Sequence, residues 1–85
     1  MTNQTVPITI YSADWCAFCH AAMGYLDKLG VPYTEKNVET SQENAMEAVD
    51  KSGQMGIPVI DIDGKIIIGF DRPRIDALLR EKKLV

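Results

Sequence analysis

Cys16 and Cys19 are separated by two residues and are the only cysteines of the chain. Residues three apart on a helix share one face at about 5–6 Å, and that separation permits a disulfide without backbone movement. Cys16 falls where a strand pattern gives way to a helical one, and the free N–H groups of a helix start favour a thiolate there. We therefore expect Cys16 to be exposed at the helix tip as an attacking thiol, with Cys19 one turn deeper as a resolving thiol.

Other chemistries of this pair stay open. Two free cysteines can simply fill a core. A structural zinc ion needs four ligands, and the only soft donor beside the pair is His20, so the sequence predicts no metal site within the chain. An iron–sulfur cluster held between two subunits through Cys16 is a further alternative. A C-x-x-C pair in a cytosolic βαβ setting is more typical of thiol–disulfide exchange.

The composition is that of one small globular domain, spanning residues 1–85. The chain is 46% hydrophobic and 25% charged, near the globular average. A net charge of −3 argues against nucleic-acid binding, which usually needs a basic face. The longest apolar stretches, such as Ile66 to Ile68, fall far short of the ~18 residues of a membrane span. The N-terminal residues carry no signal-peptide pattern, and we expect a cytoplasmic monomer.

Hydrophobic periodicity predicts the elements that position the cysteines. Strands are expected at 6–11, 33–38, 58–62 and 65–68, and helices at 16–29 and 72–83. Another helix opens with a capping box at 40–43 and ends at Gly53. The Asp63-Gly64 pair predicts a two-residue hairpin turn, and Gly30 ends the first helix. The order βαβαββα predicts an α/β fold with one mixed sheet, the first two strands being parallel. The direction of the hairpin relative to the first strand does not follow from the pattern.

Three segments of the chain are similar to segments of one known family. They are Ile10 to His20 around the cysteines, Gly56-Ile57-Pro58, and Gly69-Phe70-Asp71 before the last helix. Together they resemble the glutaredoxins, small redox proteins with a thioredoxin-like fold. The likeness covers most of the chain and implies a four-stranded mixed sheet flanked by three helices. It also implies a cis peptide bond between Ile57 and Pro58 that faces the cysteines.

The resemblance implies a thiol–disulfide oxidoreductase that reduces protein or glutathione mixed disulfides. Cys16 and Cys19 would be its catalytic residues. The residues expected to contact a substrate or glutathione are Trp15, Phe18, Ile57, Pro58, Gly69, Phe70 and Asp71. The first two are expected to form an exposed apolar docking patch. No bound cofactor is implied, because glutathione enters as a co-substrate. The expected partners are disulfide-containing proteins and, as electron donor, glutathione or thioredoxin reductase.

The sequence departs from the family where glutathione would bind. Many glutaredoxins carry Lys at the position of Ala13 and a basic residue at the position of Gln54. Asp71 remains as an acceptor for the glutathione ammonium, or it caps the last helix. The segment from Gly69 to Ile75 resembles the redoxins that serve ribonucleotide reductase and draw electrons from thioredoxin reductase. An electron donor dedicated to one such enzyme is therefore the alternative function.

Overall fold

The computed structural model describes residues 7–54 and 56–82. Its elements follow the predicted order: β1 (Ile8–Ser12), α1 (Ala17–Leu29), β2 (Thr34–Asn37), α2 (Gln42–Ser52), β3 (Val59–Ile62), β4 (Lys65–Ile68) and α3 (Arg72–Glu81). Val6 and Lys83, predicted in the first strand and the last helix, lie outside the described residues. Within the described ranges, no helix is long and apolar enough to cross a membrane.

The four strands form one mixed sheet in the order β2-β1-β3-β4. β1 runs parallel to β2, with Ser12 opposite Asn37. β3 runs antiparallel to β1, with Ile10 opposite Ile60, and β4 returns antiparallel to β3. The predicted fold class is confirmed, and the direction of the hairpin is now known. Because β1 and β2 are parallel neighbours, both end at the same edge of the sheet, and the loops that follow them lie side by side.

The hairpin turn has the backbone geometry that its sequence predicts. Asp63 has a φ of 51° and Gly64 a φ of 90°, and two positive φ angles in succession are what a type I′ turn requires. Asp61 stabilises the turn because its Oδ1 accepts the N–H of Gly64 at 2.8 Å. The turn therefore sets the register of β3 and β4.

The start of α2 differs by one residue from the capping box predicted at 40–43. The N-cap is Ser41, whose hydroxyl accepts the N–H of Asn44 at 3.2 Å. Thr40 does not cap because it still belongs to the preceding turn, where its N–H donates to Asn37 Oδ1 at 3.1 Å. The predicted end at Gly53 is confirmed, with a left-handed φ of 75°.

Helices cover both faces of the sheet. α1 and α3 pack on one face, where their buried side chains meet Ile10, Ile60 and Ile67 in one apolar cluster. The helical members of that cluster include Cys19, Ala22, Met23 and Leu26 from α1, and Ile75 and Leu79 from α3. α2 covers the opposite face over Tyr11 and Val59. β1 is consequently packed on both of its faces. The loop that follows β1 therefore starts from a fixed position.

A polar cluster ties β1 and β2 to α2 on that second face. The Tyr11 hydroxyl donates to Glu47 Oε1 at 2.6 Å, and Lys36 Nζ donates to the same oxygen at 2.7 Å. Lys51 forms an ion pair with Asp61 on β3. Burial and the hydrogen bond to Glu47 raise the pKa of Tyr11 to about 12. The hydrogen bonds from Lys36 and Tyr11 lower the pKa of the Glu47 carboxyl, so Glu47 is ionised and Tyr11 neutral at ordinary pH.

Substitution of two isoleucines of the sheet tests which residues form the core. Ile60 is fully buried between the helices and the sheet, whereas Ile68 is 48% exposed. Ile60→Ala should lower the free energy of unfolding by about 2–5 kcal/mol because it leaves a cavity. Ile68→Ala removes the same atoms from a half-exposed site and should cost much less. Urea unfolding of both variants measures the difference, and equal losses would contradict this description of the core.

Candidate functional site

Cys16 is the N-cap of α1. Its backbone is extended, with φ −85° and ψ 103°, and its sulfur accepts the N–H of Cys19 at 3.1 Å. The preceding loop is closed by a hydrogen bond from the Cys16 N–H to the carbonyl of Ala13, also at 3.1 Å. A capping side chain normally contributes an oxygen to a free N–H of the first turn. Here sulfur takes that place, and the same N–H would stabilise a thiolate.

The two cysteines are joined in a disulfide, with their Cα atoms 5.2 Å apart. This separation agrees with the distance predicted from the helical spacing. It lies within the range that native disulfides occupy. The first turn of α1 therefore holds the pair at bonding distance, and the structure describes its oxidised form.

The prediction that Cys16 is exposed is wrong for this disulfide form. Cys16 is only 5% exposed and Cys19 is fully buried. The reason is that the Cys16 side chain turns into the first helical turn, towards the N–H and the sulfur of Cys19, instead of pointing into solvent. The relative order is as predicted, because Cys16 at the N-cap is the more exposed residue and Cys19, one turn deeper, is fully buried.

Each cysteine is directly preceded in the sequence by a large aromatic residue whose side chain projects from the surface. Trp15 is 68% exposed and Phe18 is 69% exposed. Exposed aromatic side chains beside a reactive group commonly mark a contact surface. The predicted docking patch of these two residues stays a prediction, but neither ring is used to fill the core.

Ile57 and Pro58 lie directly before β3. Their peptide bond is cis, as the resemblance implied. Pro58 is buried, and Ile57 packs against the apolar cluster that contains both cysteines. The carbonyl of Pro58 accepts the N–H of Gly69 at 2.9 Å. This hydrogen bond extends the pairing of β3 with β4, because it joins the residue before β3 to the residue after β4.

Gly69 begins the turn into α3 with a φ of 83°, a left-handed conformation that favours glycine. Phe70 packs edge-to-face on Tyr25 of α1, with the ring centroids 6.0 Å apart. Arg72 lies over the same tyrosine ring, with its guanidinium carbon 4.5 Å from the centroid. The turn is thus attached to α1 through an aromatic and cation–π cluster.

Asp71 is the N-cap of α3. Its Oδ1 accepts the N–H of Arg74 at 3.4 Å, and its Oδ2 lies 3.9 Å from the Arg74 guanidinium. The helix-cap role considered from the sequence is confirmed, and the contact with a glutathione ammonium stays a prediction.

The positions that lack the family's basic residues are occupied in other ways. Ala13 is 1% exposed and belongs to the apolar cluster with the cysteines. The Gln54 amide folds back and donates to the carbonyl of Gly56 at 3.2 Å. Neither position offers a cation to a carboxylate ligand. In the part of the chain that the structure describes, no group of three or more His, Cys, Asp or Glu side chains is arranged to hold a metal ion.

Sequence reasoning missed the loop between β2 and α2, which meets the loop that carries Trp15. Trp15 Nε1 donates to Glu39 Oε2 at 2.6 Å, and Asn37 Nδ2 donates to Asp14 Oδ1 at 3.1 Å. No spacing in the sequence marks these pairs. The parallel pairing of β1 with β2 was the available signal, because it places the two loops at the same edge of the sheet.

Comparison with known proteins places this geometry among redox proteins. The glutaredoxin family model matches residues 8–67. The chain is 36% identical to a glutaredoxin-like 8.6 kDa protein of the Clostridium pasteurianum rubredoxin operon, over 87% of this chain and 99% of that one.

Two solved structures are also similar. The NrdH-redoxin of Escherichia coli, a glutaredoxin-like protein, is 30% identical with a TM-score of 0.74, covering 85% of this chain and 93% of that one. The glutaredoxin of Archaeoglobus fulgidus has a TM-score of 0.79 at 19% identity, covering 88% and 87%, and shares the fold.

The difference in depth between the two sulfurs predicts their order of reaction. After reduction, iodoacetamide should modify Cys16 first, because it is the outer sulfur and its thiolate is stabilised by the helix start. Cys19 should react slowly, and it should remain slow in the Cys16→Ser variant because the helix still covers it. Peptide mapping of brief, substoichiometric alkylation measures the order. Preferential labelling of Cys19 would contradict the assignment.

Proposed function

Because this chain belongs to the glutaredoxin family, we propose that it is a thiol–disulfide oxidoreductase that acts on disulfides of proteins. Cys16 is the nucleophile and Cys19 the resolving thiol. The observation that carries the proposal is the position of the pair, an outer sulfur at the N-cap of α1 bonded to a buried sulfur one turn deeper. The same pair would also accept glutathione mixed disulfides.

The reaction follows from the order of the two sulfurs. In the reduced protein, the Cys16 thiolate attacks one sulfur of a substrate disulfide, and the other sulfur leaves as a thiolate that takes up a proton. Cys19 then attacks Cys16 Sγ in the mixed disulfide and releases the second substrate thiol. Two electrons pass to the substrate, and the Cys16–Cys19 disulfide is the product. The Cys19 N–H stabilises the Cys16 thiolate before attack.

Substrate contact is assigned to the surface around the outer sulfur. Trp15 and Phe18 supply apolar area beside Cys16. The backbone of Ile57 would hold an extended substrate segment in the manner of an added strand. Pro58, Gly69 and Phe70 are assigned to the same contact surface, in which the Pro58 carbonyl accepts the N–H of Gly69.

A protein substrate fits this surface better than glutathione does. Glutathione carries two carboxylates and one ammonium, so its site needs cations and a free carboxylate. Ala13 and Gln54 offer no cation, and the Asp71 carboxylate already faces Arg74. Exposed aromatic area instead favours contact with apolar groups of a folded partner.

A second candidate function is an electron donor to one dedicated enzyme, such as ribonucleotide reductase, recharged by thioredoxin reductase. Its support is the similarity to the NrdH-redoxin of Escherichia coli, whose structure is described as the basis of a thioredoxin-like activity profile. The lack of cations at the glutathione positions agrees with such a donor. The chemistry at Cys16 and Cys19 is the same in both candidates, which differ only in donor and partner.

Serine variants separate the roles of the two cysteines. Cys16→Ser should abolish reduction of insulin disulfides by dithiothreitol-reduced protein, because no outer nucleophile remains. Cys19→Ser should still attack but cannot resolve, and it should accumulate a mixed disulfide with the substrate that mass spectrometry detects. Persistent activity of Cys16→Ser would contradict the proposal. So would a Cys19→Ser variant that turns over like the wild type.

A further inference from the structure

The loop between β2 and α2 is held by several hydrogen bonds at the point where it meets the active-site loop. The Asn37 side-chain carbonyl accepts the N–H groups of Glu39 and Thr40 at 2.8 and 3.1 Å. Asn44 of α2 donates its side-chain amide to the Asn37 backbone carbonyl at 3.1 Å. The N–H of Val38 donates to the Ser12 carbonyl at 2.8 Å. The contacts of Asn37 and the backbone hydrogen bond from Val38 to Ser12 therefore fix the backbone position of Glu39.

Glu39 directs its carboxylate at the indole of Trp15. The Nε1 to Oε2 distance of 2.6 Å is that of a charge-assisted hydrogen bond. Both side chains are exposed, so the contact is not needed to satisfy a buried polar atom. A parallel contact, Asn37 to Asp14, holds the residue directly before Trp15. The indole is thus restrained through its own N–H and through its backbone neighbour.

From this arrangement we infer that Glu39 is a positioning residue for protein substrates. It holds the Trp15 ring in a fixed orientation beside Cys16, so that the apolar face is presented before the partner arrives. An unrestrained indole with 68% of its surface exposed would lose rotamer freedom on contact with the partner. A pre-oriented ring avoids that cost. A small disulfide that meets only the sulfur gains less from the orientation.

The inference rests on the proposed function, since it concerns how the same dithiol selects folded partners. It goes further by giving a role to a loop that contains no cysteine and that sequence reasoning did not single out. The partner it predicts is a folded or extended protein segment with an apolar surface next to its disulfide.

The experiment uses the single tryptophan of the chain as its reporter. Wild type, Glu39→Ala, Glu39→Gln and the control Glu43→Ala are compared. Glu43 is an exposed carboxylate at the start of α2, so the control removes the same charge from the same region. Two quantities are measured: the fluorescence anisotropy of Trp15, and the ratio of the rate constants for insulin and for 2-hydroxyethyl disulfide. Urea unfolding confirms that each variant is folded.

Loss of the hydrogen bond should act on both quantities together. In Glu39→Ala the anisotropy should fall, and the insulin-to-small-disulfide ratio should fall by about 3- to 10-fold, the scale of one hydrogen bond. Glu39→Gln keeps an acceptor oxygen but loses the charge, so it should fall between the wild type and Glu39→Ala in both. Glu43→Ala should match the wild type.

Three results would overturn the inference. One is an unchanged ratio or an unchanged anisotropy in Glu39→Ala. Another is a Glu39→Gln variant that loses as much as Glu39→Ala, because charge and not orientation would then be the cause. A third is an equal change in Glu43→Ala. If the wild type exchanges with neither disulfide, the proposed function fails as well. Intact wild-type exchange with insensitive Glu39 variants removes only the positioning role.

Discussion

The first helix begins at a cysteine, and the site depends on that placement. Where a helix normally begins with a side-chain oxygen, the sulfur of Cys16 accepts the N–H of Cys19 at 3.1 Å. The same N–H belongs to the residue that we propose resolves the mixed disulfide. α1 is held by the burial of Met23 and Leu26 against a sheet whose first strand is covered on both faces. The sulfurs cannot shift relative to the fold without repacking a close-packed core.

Much of this architecture follows from local sequence. The helical spacing of the apolar residues in α1, the left-handed Gly30 and the Asp63-Gly64 turn each depend on residues close in the chain, and each is confirmed. The disulfide spacing of Cys16 and Cys19 is local for the same reason. Whether β3 runs parallel or antiparallel to β1 depends instead on how distant segments pack. The hydrophobic pattern of the sequence does not determine it.

The differences at the site have similar causes. The N-cap of α2 is Ser41 because the preceding turn is organised by Asn37, a residue that the helical pattern does not include. Cys16 has a low exposure because it is bonded to Cys19. The prediction of an exposed Cys16 did not take that bond into account. To predict the contact of Trp15 with Glu39, one must know that β1 and β2 are neighbours in the sheet.

The charged groups around the site are largely engaged within the chain. Arg74 faces Asp71, and Arg72 lies on Tyr25. Glu39 holds Trp15. Beside the sulfurs, Trp15 and Phe18 are the large apolar side chains that stay exposed. The chain thus keeps the glutaredoxin frame and dithiol, while Ala13 and Gln54 supply no cation where many glutaredoxins carry one. A partner recognised by shape and apolar contact fits what is left.

The choice of electron donor tests this account most directly. NADPH oxidation is followed with an insulin substrate in two systems, one containing glutathione and glutathione reductase, the other thioredoxin reductase alone. The lack of a basic residue at positions 13 and 54 predicts turnover with thioredoxin reductase and little with the glutathione system. Efficient turnover only with glutathione would contradict the account and would mean that glutathione binds despite Ala13, Gln54 and the pairing of Asp71 with Arg74.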